Sequence, residues 1–318
     1  MGPPLHRMPG KAGKGSALAG FNHSKARLAF TSALRSSPDS RSFFHELADS
    51  LFSVLFPTRC SICGDEVIRL MGLGVCRRCW SAVEPWEGIC CGRCGLPIVS
   101  RQLGESDPVL CGPCRINDPD FDVARAFGIY RGNLRALILQ LKFHRRERLG
   151  QKLGAYLALA WERVEIFQAE QRPLLVPVPL FRTRERQRGF NQARLLAKGL
   201  AHHLSKSRGK KRLQVAAHAL ARTRQTLPQT GLSAPARREN VRGAFRVTNP
   251  ERIQGRDVVL VDDVMTTGAT LSACARALKQ GGARTVFALA LARSTPQFPD
   301  TGDSRAVAEV DELSRDWT

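Results

Sequence analysis

At 318 residues and 35.1 kDa, with 43% hydrophobic and 24% charged residues, the chain has an ordinary globular composition and enough length for a full core and two domains. No apolar run reaches the length of a membrane-spanning helix, so a soluble or peripheral chain is expected. The formal net charge of +21 is unevenly placed: between Arg182 and Arg256 stand 19 Lys/Arg against three acids, Glu185, Glu239 and Glu251, which points to phosphate-bearing partners.

Residues 1–42 are rich in Gly, Ser, Lys and Arg and lack the apolar stretch of a secretory signal. They read as a disordered basic extension, or as an early start, rather than as a transit peptide. Phe43, Phe44, Leu47, Leu51, Val54 and Leu55 then recur at helical spacing, and Pro57 ends the run. This predicts a short helix that packs on the neighbouring cysteine-rich region; its polar face is not basic, which argues against a membrane-surface role.

Nine of the ten cysteines lie between Cys60 and Cys114. They form four C-x-x-C pairs, Cys60/Cys63, Cys76/Cys79, Cys91/Cys94 and Cys111/Cys114. Two intervening residues let one tight turn aim both sulfurs at one metal, and two such turns complete a tetrahedron. The order C-x2-C-x12-C-x2-C, then C-x2-C-x16-C-x2-C, predicts a double zinc ribbon over 43–117 with up to two structural Zn2+. The spacing alone leaves open which pair shares which metal, and Cys90 offers a slipped register. Disulfides would suit a secreted chain, and no secretory signal supports one, so a cytoplasmic location is expected.

From residue 118 to 294 the pattern alternates. A short strand is expected at 126–130, then a helical face from Leu134, Leu137, Ile138 and Leu141, and a second helix at 151–167. The run 174–180 has buried-strand length, 190–204 is helical, and 215–221 and 241–247 read as strands around a long polar loop. A strand at 258–262, a helix at 269–280 stopped by Gly281-Gly282, and a strand at 285–291 complete the pattern. Strands alternating with helices predict an α/β domain with a parallel sheet. The acidic end of the chain, 295–318, reads as a disordered tail.

The segment VVLVDDVMTTGAT, 258–270, carries the chemistry. Four apolar residues make a buried strand, and its carboxyl end, where open α/β sheets bind ligands, presents Asp262 and Asp263. TTGAT then turns directly into a helix. The backbone N–H groups of Thr266, Thr267, Gly268, Ala269 and Thr270 can converge on an anion, with the positive helix end behind them. The acid pair suits a sugar diol one ribose away from that phosphate. The segment is not a P-loop, because it lacks the glycine spacing and the lysine. Two adjacent acids at the end of a buried strand are expensive without partners, so a purely structural reading is disfavoured.

This stretch resembles the 5-phosphoribosyl-1-diphosphate (PRPP) motif of type I phosphoribosyltransferases. Together with LKFHRR (141–146), LVPVPLFRTRERQRGFNQARLLA (175–197), LARTRQTLPQTGLSAPARRENVRGAFRV (220–247) and LALAR (289–293), it resembles the ComF family, in which a double zinc ribbon precedes a phosphoribosyltransferase-like domain. The resemblance implies that Asp262 and Asp263 hold the ribose hydroxyls, directly or through Mg2+, and that Thr266–Thr270 cradle the 5′-phosphate. It places Pro177 and Val178 in a diphosphate-contacting loop. It also makes 222–242 a flexible loop that closes over the site, with Arg222, Thr226, Gln229, Arg238 and Asn240 as contacts.

Arg188 is read as an anion contact, Asn191 as a helix-start or backbone residue, and Phe190 as core rather than a base-stacking ring. Lys142 is read as either an anion contact or a solvated helix residue. The family further implies a part in competence and DNA uptake, with single-stranded DNA and the uptake machinery as partners. The alternatives are a PRPP-dependent glycosyltransferase of nucleotide metabolism with an unidentified acceptor, and a non-catalytic PRPP sensor.

Overall fold

The computed structural model describes residues 58–67, 74–98, 109–143, 147–162, 173–208, 213–227 and 232–295, all within one compact unit, Ser53–Thr318. The expected basic extension, the helix at 43–55, Gln229 and all but the first residue of the expected tail lie outside the described residues.

Each cysteine pair shapes its own turn. β1 (Thr58–Arg59) pairs antiparallel with β2 (Glu66–Val67) around the first C-x-x-C, and α1 (Arg77–Ser81) starts on the second, with the Cys76 sulfur accepting the Cys79 N–H as its cap. In the next ribbon Cys90 bridges Pro97 antiparallel around the third pair. α2 (Gly112–Ile116) begins at Cys111, helped by Pro113 in its first turn, where a missing N–H costs nothing.

The α/β part runs β3 (Val123–Ile129), α3 (Gly132–Phe143), α4 (Glu147–Glu162), β4 (Leu174–Pro177), α5 (Arg182–Arg188), α6 (Gln192–Arg208), β5 (Leu220–Arg222), α7 (Ala234–Val241), β6 (Phe245–Val247), a 3-10 turn (Pro250–Arg252), β7 (Asp257–Met265), α8 (Ala269–Gln280) and β8 (Thr285–Arg293). The central sheet has the order β3-β8-β7-β4 and is parallel throughout. Val215 extends its edge through a parallel bridge to Leu175.

Strand side chains alternate between faces, and both faces are covered. Leu174, Val176, Val258, Leu260, Val286 and Ala288 pack with Leu271, Cys274 and Leu278 of α8 on one side. The opposite set, Leu175, Val259, Val261 and Leu289, is equally buried, as are Leu149, Leu153 and Leu157 of α4 and Leu196 and Leu200 of α6. Leu153 and Leu200 have no exposed surface. Leu200→Ala is expected to lower unfolding free energy by about 2–5 kcal/mol in the zinc-loaded protein, read from denaturant titration; a change below about 1 kcal/mol would show that this face is not the packed core.

Two expectations change. The segments 215–221 and 241–247 are not full strands: the pairing strands are the three-residue β5 and β6, with Leu220 opposite Val247. The polar loop between them contains α7, which Ser233 caps by accepting the Ala236 N–H at 3.3 Å. Among its residues only Val241 is buried, so α7 has no apolar period to betray it. The serine cap and Pro235 in the first turn were the available signals.

Candidate functional site

The cysteines assemble as two consecutive tetrads, Cys60/Cys63/Cys76/Cys79 and Cys91/Cys94/Cys111/Cys114, whose sulfurs lie within 4.8 Å of one another in each set. Interleaved pairing and the Cys90 register are therefore excluded. Neighbouring sulfurs are 3.8 Å (Cys60–Cys79), 3.7 Å (Cys63–Cys76) and 3.6 Å (Cys94–Cys111) apart. A tetrahedral zinc with Zn–S of about 2.3 Å spaces its sulfurs roughly 3.8 Å apart, so the separations fit that ion, and they are far too long for disulfides. Backbone N–H groups point at the sulfurs as they would at thiolates: Cys76 and Ile62 donate to Cys60 at 3.3 and 3.5 Å, and Cys111 and Cys94 donate to Cys91 at 3.3 and 3.5 Å.

Four close thiols cannot all ionise without a cation. A hydrogen bond from Cys94 brings Cys91 down to about 4, whereas burial pushes Cys114 up to about 12. The tetrads are zinc-ribbon sites of the closed, structural kind.

Both ribbons dock on the α/β part. Asn133 and Gln140 of α3 donate to Cys79 O and Ser61 O at 3.0 and 3.1 Å, and the Tyr156 hydroxyl of α4 donates to Trp80 O at 3.2 Å. The second ribbon lies against β3, where the Ala124 N–H donates to Arg93 O at 2.8 Å. Gly95, at φ +65°, approaches so closely that a Cβ would stand 2.7 Å from Ala124 O. The connection after it is tied to α8: Asp120 accepts from Ser272 Oγ at 2.6 Å and from Arg276 Nε at 3.0 Å.

The acid pair lies at the carboxyl end of β7, as expected. The Asp263 N–H donates to Asp262 Oδ1 at 2.9 Å, and the Val264 N–H donates to Asp263 Oδ1 at 2.8 Å. Asp263 is 5% exposed, and Lys142, from the end of α3, meets its Oδ2 at 3.0 Å. Of the two readings of Lys142, anion contact or solvated helix residue, the structure sets aside the solvated one and gives the ammonium a carboxylate of the protein itself as partner. Burial alone would raise the Asp263 pKa, but Lys142 and then Arg188 outweigh it and hold the group below the usual carboxylate range. Asp262 goes the other way: burial and the Asp263 charge push it well above that range. By linkage the two oppose each other. Asp263 adds stability that is present above its unfolded pKa and lost as pH falls through its folded one, while Asp262 costs stability as pH rises through its raised value. A cation placed between them removes that conflict.

Beyond the acids, TTGAT turns into α8. Gly268 takes φ +80°, a left-handed conformation that glycine adopts without strain, and a Cβ there would meet Met265 Cε at 2.8 Å. As N-cap it brings no side-chain acceptor; the Thr267 hydroxyl accepts the Ala269 N–H at 3.4 Å. Thr266–Thr270 therefore form a glycine turn at a helix N-terminus, directly after the carboxylate pair.

Other expected residues converge on the same end of the sheet. Pro177 pairs with Val261 in register, and the Val178 N–H donates to Val261 O at 3.0 Å, which sets this turn beside Asp262. Asn191 meets its expected role: its amide donates to Val178 O at 3.0 Å, and its oxygen accepts the Arg194 N–H at 3.3 Å at the start of α6. Phe190 is buried, as expected of core. Arg188 ends α5, half-buried and within electrostatic range of both acids. Arg222, on β5, lies over the Phe245 ring at 5.5 Å, donates to the Thr226 hydroxyl and feels Asp262. Burial lowers the pKa of both arginines, and the nearby carboxylates only partly offset it.

Two residues do otherwise. The Asn240 amide is spent on Leu227, donating to its carbonyl at 2.9 Å and accepting its N–H at 3.0 Å, so it clamps the base of the 222–242 segment. Arg238 sits exposed on α7, and no described contact joins it to the acids. One residue received no role from the sequence: Arg293, at the end of β8, is 4% exposed and lies beneath the TTGAT loop. An arginine closing an otherwise apolar strand, TVFALALAR, was the signal for it.

Comparison with known proteins agrees with both halves. Residues 51–115 match the model of the double zinc ribbon domain, and residues 189–312 match that of the phosphoribosyl transferase domain. The chain is 36% identical over 222 residues to the DNA utilization protein YhgH of Escherichia coli O157:H7, covering 70% of this chain and 91% of that protein. It is 30% identical over 241 residues to Competence protein F of Haemophilus influenzae, covering 75% and 98%. It is 27% identical over 231 residues to Competence protein ComFC of Bacillus subtilis, covering 69% and 84%.

Proposed function

We propose that this chain, which belongs to the ComF family of double zinc ribbon and phosphoribosyltransferase domains, binds PRPP at the end of β7 and serves in the use of incoming single-stranded DNA. The observation that carries the PRPP reading is the acid pair, half-buried Asp262 and buried Asp263, joined to a left-handed glycine turn at a helix start, with Lys142, Arg188 and Arg222 around it. In this reading Asp262 and Asp263 take the ribose hydroxyls, with Mg2+ between carboxylates and ligand, and Thr266–Thr270 take the 5′-phosphate. Pro177 and Val178 border the diphosphate. Arg188 and Arg222 neutralise it, and Gln229 and Arg238 join when the 222–242 segment closes.

The DNA role rests on the names of the relatives and on the basic stretch from Arg182, where Arg182, Arg184 and Arg186 of α5 are exposed. No helix among the described residues is long and apolar enough to cross a membrane.

A second reading, PRPP-dependent transfer to an unassigned acceptor, draws on the same acid pair. Mg2+ there would neutralise a departing diphosphate, and the arginines would stabilise its charge as the anomeric bond opens. Titration with PRPP and Mg2+, then with single-stranded DNA at several salt concentrations, separates these. DNA binding with a steep salt slope supports the uptake role, diphosphate release on adding one acceptor supports the enzyme, and no PRPP binding refutes both.

The raised Asp262 pKa gives a pH prediction. Filling the pair with a cation requires that carboxyl to ionise, so at mildly acidic pH binding should expel a proton, and the calorimetric heat should vary with the buffer. PRPP itself also titrates, so the decisive quantity is the release that disappears in Asp262→Asn. Equal proton release in wild type and Asp262→Asn would show that Asp262 is already ionised in the free protein.

A further inference from the structure

Arg293 joins the second cysteine tetrad directly to the start of the TTGAT loop. Its Nη1 donates to the carbonyl of Met265 at 3.1 Å and to that of Thr266, and its Nη2 donates to Cys94 Sγ at 3.8 Å. Met265 is its register partner across β7 and β8, and the Ser294 N–H adds a second bond to Met265 O at 2.9 Å. The guanidinium is therefore a fixed fork, with one prong on the second cysteine tetrad and the other on the two carbonyls that open the TTGAT loop.

Peptide geometry carries the effect into the loop. No peptide bond here is cis, and across a trans peptide the N–H points opposite to the preceding carbonyl. Drawing the carbonyls of Met265 and Thr266 inward to Arg293 turns the N–H groups of Thr266 and Thr267 away from it, to the opposite side of the loop. A metal shared by the 91–94 and 111–114 turns fixes the tetrad more firmly than the bond from the Gly92 N–H to Val109 O, which also joins them. We propose that Arg293 is a positioning residue that couples the second cysteine tetrad to the TTGAT loop, so that zinc in that tetrad and a phosphoribosyl ligand in the loop strengthen each other's binding. The first tetrad supplies the comparison: its ties run to α3 and α4 through Asn133, Gln140 and Tyr156, and α3 reaches Asp263 through Lys142 rather than the TTGAT carbonyls.

This coupling rests on PRPP binding at the loop, and the test separates the two. Coupling between sites is reciprocal. Zinc transfer from the two-zinc wild-type protein to a chromogenic chelator is timed with and without PRPP and Mg2+, and PRPP binding is measured by calorimetry on the same sample. The expected result is that one zinc equivalent leaves at least about fivefold more slowly with PRPP, the low end of ordinary coupling, while the other is unchanged. Arg293→Lys keeps the charge but loses the fork, and should retain both metals while the selective slowing disappears. Bound PRPP that slows neither zinc, or both equally, overturns the coupling; so does selective slowing that persists in Arg293→Lys. Absent PRPP binding in the calorimeter overturns the assignment of PRPP to the loop instead.

Discussion

Asp262→Ala combined with Asp263→Ala is expected to weaken PRPP binding in Mg2+ by two orders of magnitude or more. Each charge-assisted hydrogen bond is worth about 1.5–3 kcal/mol, so removing two gives about 3–6 kcal/mol, or roughly 10²–10⁴ in affinity. The same change should not weaken inorganic phosphate, because Lys142, Arg188 and Arg222 then face the site unopposed. That divergence distinguishes the removal of sugar and cation ligands from general damage. Removing Asp263 also strands Lys142, whose pair is largely buried, and breaking such a pair costs about 3–5 kcal/mol of stability. The milder Asp262→Asn with Asp263→Asn, checked for its melting temperature, therefore belongs beside it. A folded double variant that binds PRPP as the wild type does would remove the acid pair from the site.

Cys111→Ser with Cys114→Ser should abolish the cooperative unfolding of the α/β domain, while Cys63→Ser should leave a recognisable transition. The second tetrad is part of the domain core: Cys91, Cys94, Cys111 and Cys114 share one buried cluster with Leu174, Leu260, Met265 and Ala290. Cys63 of the first tetrad is exposed. Structural zinc in small ribbons contributes roughly 10–16 kcal/mol, as much as the whole stability of an ordinary domain. Thermal melts by circular dichroism, with zinc content measured in parallel, check this. Equal melting temperatures for the two variants would show that the second ribbon is only an appendage.

The parts of the molecule that were legible in the sequence are those whose geometry is local. A C-x-x-C turn is two residues wide, and VVLVDDVMTTGAT is a strand, a turn and a helix start read straight through, so the tetrads and the loop lie where their residues predict. The pairing of turns within a tetrad is a longer-range fact, and spacing could not choose it. The Lys142–Asp263 pair is harder still, because it brings the end of α3 to the end of β7 across the sheet order β3-β8-β7-β4, which no periodicity encodes. Arg293 lies past the strand expected at 285–291, and nothing local in the sequence tells that β8 ends between the second ribbon and the loop. α7 was missed for a different reason: a helix with one buried residue is held by its cap and by contacts such as Arg224 Nη2 donating to Asn240 O at 3.0 Å, and these leave no apolar pattern.

Hydrogen–deuterium exchange of the zinc-loaded chain, with and without PRPP and Mg2+, tests the central claim most directly. A ligand on the TTGAT loop should slow exchange of the amides from Thr266 to Thr270 and of the 222–242 segment, while the first ribbon exchanges as before. Exchange at Thr266–Thr270 that PRPP leaves unchanged, with protection appearing elsewhere or nowhere, would contradict the account.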